Sequence, residues 1–154
     1  MQRSRSKAMK WVNHEIVTGV IVYGATGDLL STAFSMAGAI LPDKVEGRPG
    51  ADYWSWRARH RGWSHWPVIY IAIYAIMQMG MLPYGAELEK GISFLAVGAL
   101  LHIAEDAFCG KVPFLFPWQK VGIKLFKVGS VMEYLFSMAA VILTYIIHAQ
   151  IMVK

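Results

Sequence analysis

Residues 16–41 read IVTGVIVYGATGDLLSTAFSMAGAIL. Two apolar runs, Ile16–Tyr23 and Leu29–Leu41, flank a turn-forming cluster at Gly24–Asp28. Two architectures fit this stretch. Either the chain doubles back at the cluster, giving a re-entrant hairpin of half-length helices, or one span is interrupted there. The first puts His14 and Asp43 on one side of the structure, the second on opposite sides.

The rest of the chain alternates in the same way. Trp63–Leu82 is a helix-length apolar run with Pro67 in its first turn, where proline is tolerated. Pro83–Gly91 is a short connection, and Ile92–Ala107 is the next helix. Cys109–Gly129 is a loop with two prolines and several lysines. A last helix runs to about Val153, with Ser130 and Glu133 spaced as a capping box at its start. Residues 43–62 form an interfacial loop carrying Tyr53, Trp54 and Trp56. The chain is 56% apolar and 16% charged, against the ~25% charged of an ordinary soluble domain. These features define an all-α fold: a single-domain (1–154), polytopic membrane bundle of about five helices, the first two a short re-entrant hairpin.

Charge placement chooses between the two readings of 16–41. Bases collect in the N-terminal segment (Arg3, Arg5, Lys7, Lys10), in 42–62 (Lys44, Arg48, Arg57, Arg59, Arg61) and in 108–130 (Lys111, Lys120, Lys124, Lys127). The 83–91 connection has one lysine and two glutamates, and Gly24–Asp28 has no base. The positive-inside rule then places all three basic segments in the cytoplasm, with a cytoplasmic N-terminus, and only the hairpin satisfies it. The net charge of +5 is explained by orientation and by contact with anionic headgroups. No nucleic-acid motif accompanies it, so no nucleic-acid partner is expected. The single cysteine, Cys109, excludes an intramolecular disulfide.

With that topology the polar residues beside the apolar runs fall at one level. His14 opens the first helix, Asp43 closes the second, and His60 and His65 enter the third. His102 and Asp106 lie near the end of the fourth, and Glu133 starts the fifth. Four imidazoles and three carboxylates at one membrane face are a ligand set for Zn²⁺ or a similar divalent ion, one or two in number. His102 and Asp106 are i, i+4 and share a helical face, and Glu105 can replace or support Asp106. His60 and His65, five apart, cannot face one point from a regular helix, so Gly62 is expected to let the chain turn between them. Asp28 reads as a turn residue and His148 as a half-wet interfacial side chain.

These residues in this order resemble the bacterial family of inner-membrane metal-dependent hydrolases, the YdjM-like proteins. The resemblance rests on His14, on LPD at Leu41–Asp43, and on HRGWSHW at His60–Trp66. It continues in HIAED with GKVPFLFPW at His102–Trp118 and in GSVME at Gly129–Glu133. The chain departs from the family's PDxD pattern: Val45 stands where a second acid is usual, and Glu46 follows one place later. Ser64 and Trp66 replace the usual threonine and serine. The resemblance implies a metal-dependent hydrolase and leaves its substrate open.

Three functions follow as expectations. The first is hydrolysis of a phosphoester or lipid-linked substrate at the cytoplasmic face. There His14, Asp43, His60, His65, His102, Asp106 and Glu133 supply metal ligands, Glu133 or Glu105 acts as general base, and Arg61 steadies a phosphoryl oxygen. The second is a non-catalytic membrane scaffold with a structural metal site. The third, a metal or proton conduit, requires ionisable residues through the whole bilayer depth, and the sequence offers only Asp28 and His148 away from the main level.

Overall fold

A computed structural model describes residues 5–47, 54–55, 60–80, 83–126 and 130–152. Tyr53, Trp56, the bases Arg3, Arg48, Arg57, Arg59 and Lys127, and Gly129 lie outside the described residues. Five helices carry the fold: α1 (Arg5–Thr26), α2 (Leu29–Glu46), α3 (Pro67–Gln78), α4 (Ala86–Cys109) and α5 (Val131–Met152). A 3₁₀ turn, Trp63–His65, precedes α3. A two-stranded antiparallel ribbon, β1 (Val112–Pro113) with β2 (Lys120–Val121), follows α4, pairing Val112 with Val121.

Residues 16–41 do form a hairpin. Gly27 takes φ 64°, a left-handed conformation that glycine adopts without strain. Asp28 then caps α2, its carboxylate accepting from the N–H groups of Leu30 and Ser31 and from the Ser31 hydroxyl. Lys90, in the first turns of α4, stands 2.9 Å from the same carboxylate and ties the hairpin tip to that helix. At the other end Trp11 Nε1 donates to Asp43 Oδ2 at 2.8 Å. A contact between the early part of α1 and the end of α2 requires the two helices to run antiparallel.

The hairpin's arms are not half-length. α1 has 22 residues and α2 has 18, or ~33 and ~27 Å at 1.5 Å per residue. The basic N-terminal stretch continues the helix because Arg, Lys, Ala and Met are good helix formers. His14 therefore lies well inside α1 and does not open it. α4 likewise absorbs most of the expected 83–91 connection: Gly85 precedes it, and Glu87 and Glu89 in its first turn suit the positive end of the helix dipole. The third run is shorter than expected. Pro67 occupies the first helical position, the chain before it is wound as a 3₁₀ turn, and α3 has only 12 residues. Its ~18 Å falls short of the ~30 Å hydrocarbon core. By length and composition α4 and α5 suffice to cross a membrane. The capping box at Ser130 does not form: the Glu133 N–H bonds the Ser130 carbonyl at 3.1 Å, and the Ser130 hydroxyl is buried with no hydrogen-bond partner.

The core is the seam between α2 and α4. A Cβ on Gly38 would run into the Leu95 carbonyl, and one on Gly98 into the Ser35 carbonyl. Ala39, Ala96 and Ala99 are fully buried there. Small residues let two membrane helices approach backbone to backbone, where dispersion contacts hold them. Tyr70, Ile103 and Val112 extend this cluster toward α3 and the ribbon. α5 is more peripheral, with only 11% of its apolar stretch buried. It is held to α1 by Asn13 Nδ2 donating to Ser137 Oγ (2.7 Å) and by His148 Nδ1 on the Gly24 carbonyl (2.8 Å). His148 is half-buried, as a half-wet side chain would be, and makes a structural bond as well.

Replacing Gly98 by leucine should force α2 and α4 apart, costing at least the ~1–3 kcal/mol of an overpacked core. Thermal unfolding in detergent reads this as a lowered midpoint, and an unchanged midpoint would show that the seam is not close-packed.

Candidate metal centre

The α2–α4 seam fixes the positions of Asp43, late in α2, and of His102, Glu105 and Asp106, in the last two turns of α4. His14 approaches from α1, its ring 4.2 Å from that of His102. His65 comes from the 3₁₀ turn. That turn is placed by a network around Glu46, which accepts from the Arg61 backbone N–H (2.9 Å) and pairs with His60 Nδ1 (2.9 Å). Tyr70 adds a bond from its hydroxyl to the Ser64 carbonyl (2.8 Å). The left-handed residue here is Arg61, φ 56°, and not Gly62, whose φ is −94°. Glu46, bonded to the Arg61 N–H and to the His60 ring just before it, anchors the chain entering that conformation.

Asp106 is the hub. Arg61 Nη2 donates to its Oδ1 at 2.7 Å, and Arg61 Nε lies 2.7 Å from its Oδ2. The guanidinium reaches Asp106 across Gly110, where a Cβ would collide with Arg61 Nη1. His65 Nε2 lies 3.4 Å and His102 Nε2 3.7 Å from Asp106 Oδ2, and His14 Nε2 3.9 Å from Oδ1. His65, His102, Asp106, His14 and Glu133 are all less than 9% exposed.

Hydrogen bonds on the outer nitrogens aim the rings. Glu105 accepts from His14 Nδ1 at 2.7 Å, which leaves Nε2 facing inward. Ser64 Oγ sits 2.9 Å from His65 Nδ1, so His65 Nε2 also faces the hub. Such partners on the second nitrogen are what metal-binding imidazoles ordinarily carry. His102 differs: its Nδ1 is buried without a hydrogen-bond partner.

The inward atoms can be tested against an ion. A tetrahedral Zn²⁺ site with ligands at ~2.0–2.1 Å has ligand–ligand edges of about 3.3–3.4 Å. His65 Nε2 and His102 Nε2 are 3.3 Å apart. Asp43 Oδ1 is 3.5 Å from the first and 3.9 Å from the second, and Asp106 Oδ2 is 3.4 and 3.7 Å from the same two atoms. These five separations run from the ideal edge to about half an ångström above it, and the donors are nitrogen and carboxylate oxygen. Two groups among the described residues can hold a metal ion: His14, His102 and Asp106, and Asp43, His65 and His102. His102 is common to both.

Of the residues singled out from sequence, the structure thus brings together His14, Asp43, His65, His102 and Asp106. Glu105 and Glu133 line a small cavity beside them, together with His14, Asp106 and Cys109. His60 stands one layer out, its ring 6.0 Å from that of His65 and its imidazole on Glu46. Arg61 is committed to Asp106. Sequence reading missed Trp11 as a donor to Asp43 and Gly110 as the space for Arg61. No local pattern marks either, because both depend on contacts across more than thirty residues.

The result is a helical membrane protein whose buried histidine–aspartate cluster can hold a metal ion. The chain belongs to the YdjM inner membrane protein family, whose pattern matches residues 9–153. No curated protein and no solved structure matches it.

Burial opposes charge on His65, but the carboxylates of Asp106 and Asp43 outweigh it and push its pKa up to about 9. A metal must displace that proton. Zn²⁺ affinity, measured by calorimetry on metal-free protein, should therefore strengthen up to about tenfold per pH unit from neutrality and level off above about 9. A flat profile would exclude His65 as a ligand. Arg61→Ala should cost about 3–5 kcal/mol by stranding a buried carboxylate. Arg61→Lys should recover only part of this, because lysine lacks the planar fork. Equal melting points for all three proteins would contradict the pairing.

Proposed function

We propose that this chain is a membrane-bound, metal-dependent hydrolase acting on a phosphoester or lipid-linked substrate at the cytoplasmic face of the inner membrane, with its N-terminus on that side. The observation that carries the reading is that His65 Nε2 and His102 Nε2, 3.3 Å apart, each lie 3.4–3.9 Å from a carboxylate oxygen of Asp43 and from one of Asp106.

In this reading His65, His102, Asp43 and Asp106 hold a Zn²⁺-like ion, with His14 completing the set or serving a second ion through Asp106. The ion's contribution is Lewis-acid polarisation of the scissile group and a lowered pKa for water. Asp106 has both carboxylate oxygens beside Arg61, so Arg61 orients a ligand and balances its charge before it can meet any phosphoryl oxygen. Glu105 keeps His14 in one tautomer through Oε2, while its Oε1 is buried without a hydrogen-bond partner. Glu133 faces the same cavity from α5 and is the general base in this scheme, taking the proton from water. His60 is a positioning residue, acting through Glu46 on the 3₁₀ turn.

A second reading has specific support. His65 and His102 are 0% exposed, and a closed site of that kind suits a structural ion in a membrane scaffold. Asp43, with a side chain 24% exposed, is the point at which the cluster meets the outside, and it favours catalysis.

Elemental analysis of the purified protein should find about one or two zinc-like ions per chain, and a His65→Ala/His102→Ala double variant should lose them. Equal metal content in both proteins would remove the basis of both readings. With metal bound, release of phosphate from lipid phosphoesters that falls by ~10²-fold or more in Glu133→Gln separates enzyme from scaffold.

A further inference from the structure

The segment after α4 contributes no ligand to the metal centre, yet its backbone is firmly tied. Val112–Pro113 pairs with Lys120–Val121. Phe114 N–H bonds the Gln119 carbonyl, and Gln119 N–H the Phe116 carbonyl, each at 3.0 Å. Ile123 and Leu125 bond the carbonyls of Ala107 and Phe108 at 2.8 and 2.7 Å. Trp66 Nε1 donates to the carbonyls of Phe114 and Leu115, and Lys120 Nζ to that of His60. This is an ordered platform on the end of α4.

Its side chains point the wrong way for water. Phe114, Leu115, Phe116, Trp118, Ile123 and Leu125 are between 48% and 74% exposed, all within twelve residues of chain. Scattered exposed apolar residues need no explanation, but a contiguous patch does. Phe116 and Trp118 stack on each other, centroids 5.2 Å apart, without packing into the core. Lys111 and Lys124 flank the patch in exposed positions, and residues 111–126 contain no acidic residue.

We propose that residues 112–125 form a wedge that enters the headgroup and upper acyl region of an anionic lipid leaflet. The partner is set by two features. The patch is continuous with α4, a helix long and apolar enough to span, so it is delivered to the bilayer surface. Its charge is uniformly positive, which complements anionic headgroups, while stacked Phe and Trp suit the interface. The wedge adjoins the metal centre through Lys120–His60 and Gly110–Arg61, but it does not rest on metal being bound or on hydrolysis.

The test uses the full chain reconstituted in phosphatidylcholine vesicles with and without phosphatidylglycerol. A nitroxide is placed at Phe116→Cys on a Cys109→Ala background, with Leu115→Cys as a second reporter and Glu87→Cys as the exposed control. Labels at 115 and 116 should collide more with dissolved oxygen than with a water-soluble nickel chelate, and the label at 87 should show the reverse order. Lys111→Gln with Lys124→Gln should move the 116 label toward water in the phosphatidylglycerol vesicles and leave it unchanged in pure phosphatidylcholine. Preference for nickel at both 115 and 116 would overturn the wedge. So would nitroxide–nitroxide broadening, which would show a second copy of the chain covering the patch. Indifference to the lysine changes would overturn the choice of an anionic leaflet.

Discussion

Asp106 carries the constraint on which the structure turns. It is 4% exposed, in the last turns of a helix whose middle, Ile92–Leu101, carries no charged residue. A buried carboxylate is tolerated only with counter-charge and donors around it. The fold meets that requirement from three directions: Arg61 from the turn before α3, His65 just beyond it, and His102 one turn earlier on the same helix. Bringing those groups to one point requires the backbone of residues 60–66 to enter sideways, as a left-handed residue followed by a 3₁₀ turn. It also requires Gly110 to leave room for the guanidinium. The sequence HRGWSHW is therefore a device for presenting one cation and one imidazole to a single acid.

The α2–α4 seam is the second half of the same solution. Ligands on two helices keep their separation only if the helices cannot slide. Gly38 on Leu95 and Gly98 on Ser35 set backbone against backbone about one to two turns from the cluster. At that distance a small shift would move Asp43 relative to His102 by an amount the ion would register. The candidate metal centre is thus built on helices that cannot slide, with its outer partners, Glu105, Glu46 and Ser64, locking the rings.

Much of this was legible in the chain. Basic segments flanking apolar runs gave the hairpin, because charge resists burial in lipid wherever it falls in the sequence. The i, i+4 spacing of His102 and Asp106 gave a shared face. Helix extents were less legible: hydropathy marks where a helix is greasy, not where it starts, so the polar first turns of α1 and α4 look like loop in the sequence. The pairing of Arg61 with Asp106 was hidden, since forty-five residues separate them and an arginine beside imidazoles reads equally well as a phosphate clamp. The failed capping box shows the reverse error. Serine and glutamate had the right spacing, but the chain entering α5 buried the serine hydroxyl without giving it a partner.

The family match explains why these features occur together in an inner-membrane chain. What the geometry adds is a definite ligand chemistry: imidazole nitrogen and carboxylate oxygen, with the cysteine nearby, Cys109, kept outside both candidate groups. X-ray absorption at the metal edge of the purified, metal-loaded protein tests this most directly. The account predicts nitrogen and oxygen neighbours at ~2.0–2.1 Å with the outer-shell scattering of at least two imidazoles; a sulfur neighbour at ~2.3 Å, or a shell without imidazole, would contradict it.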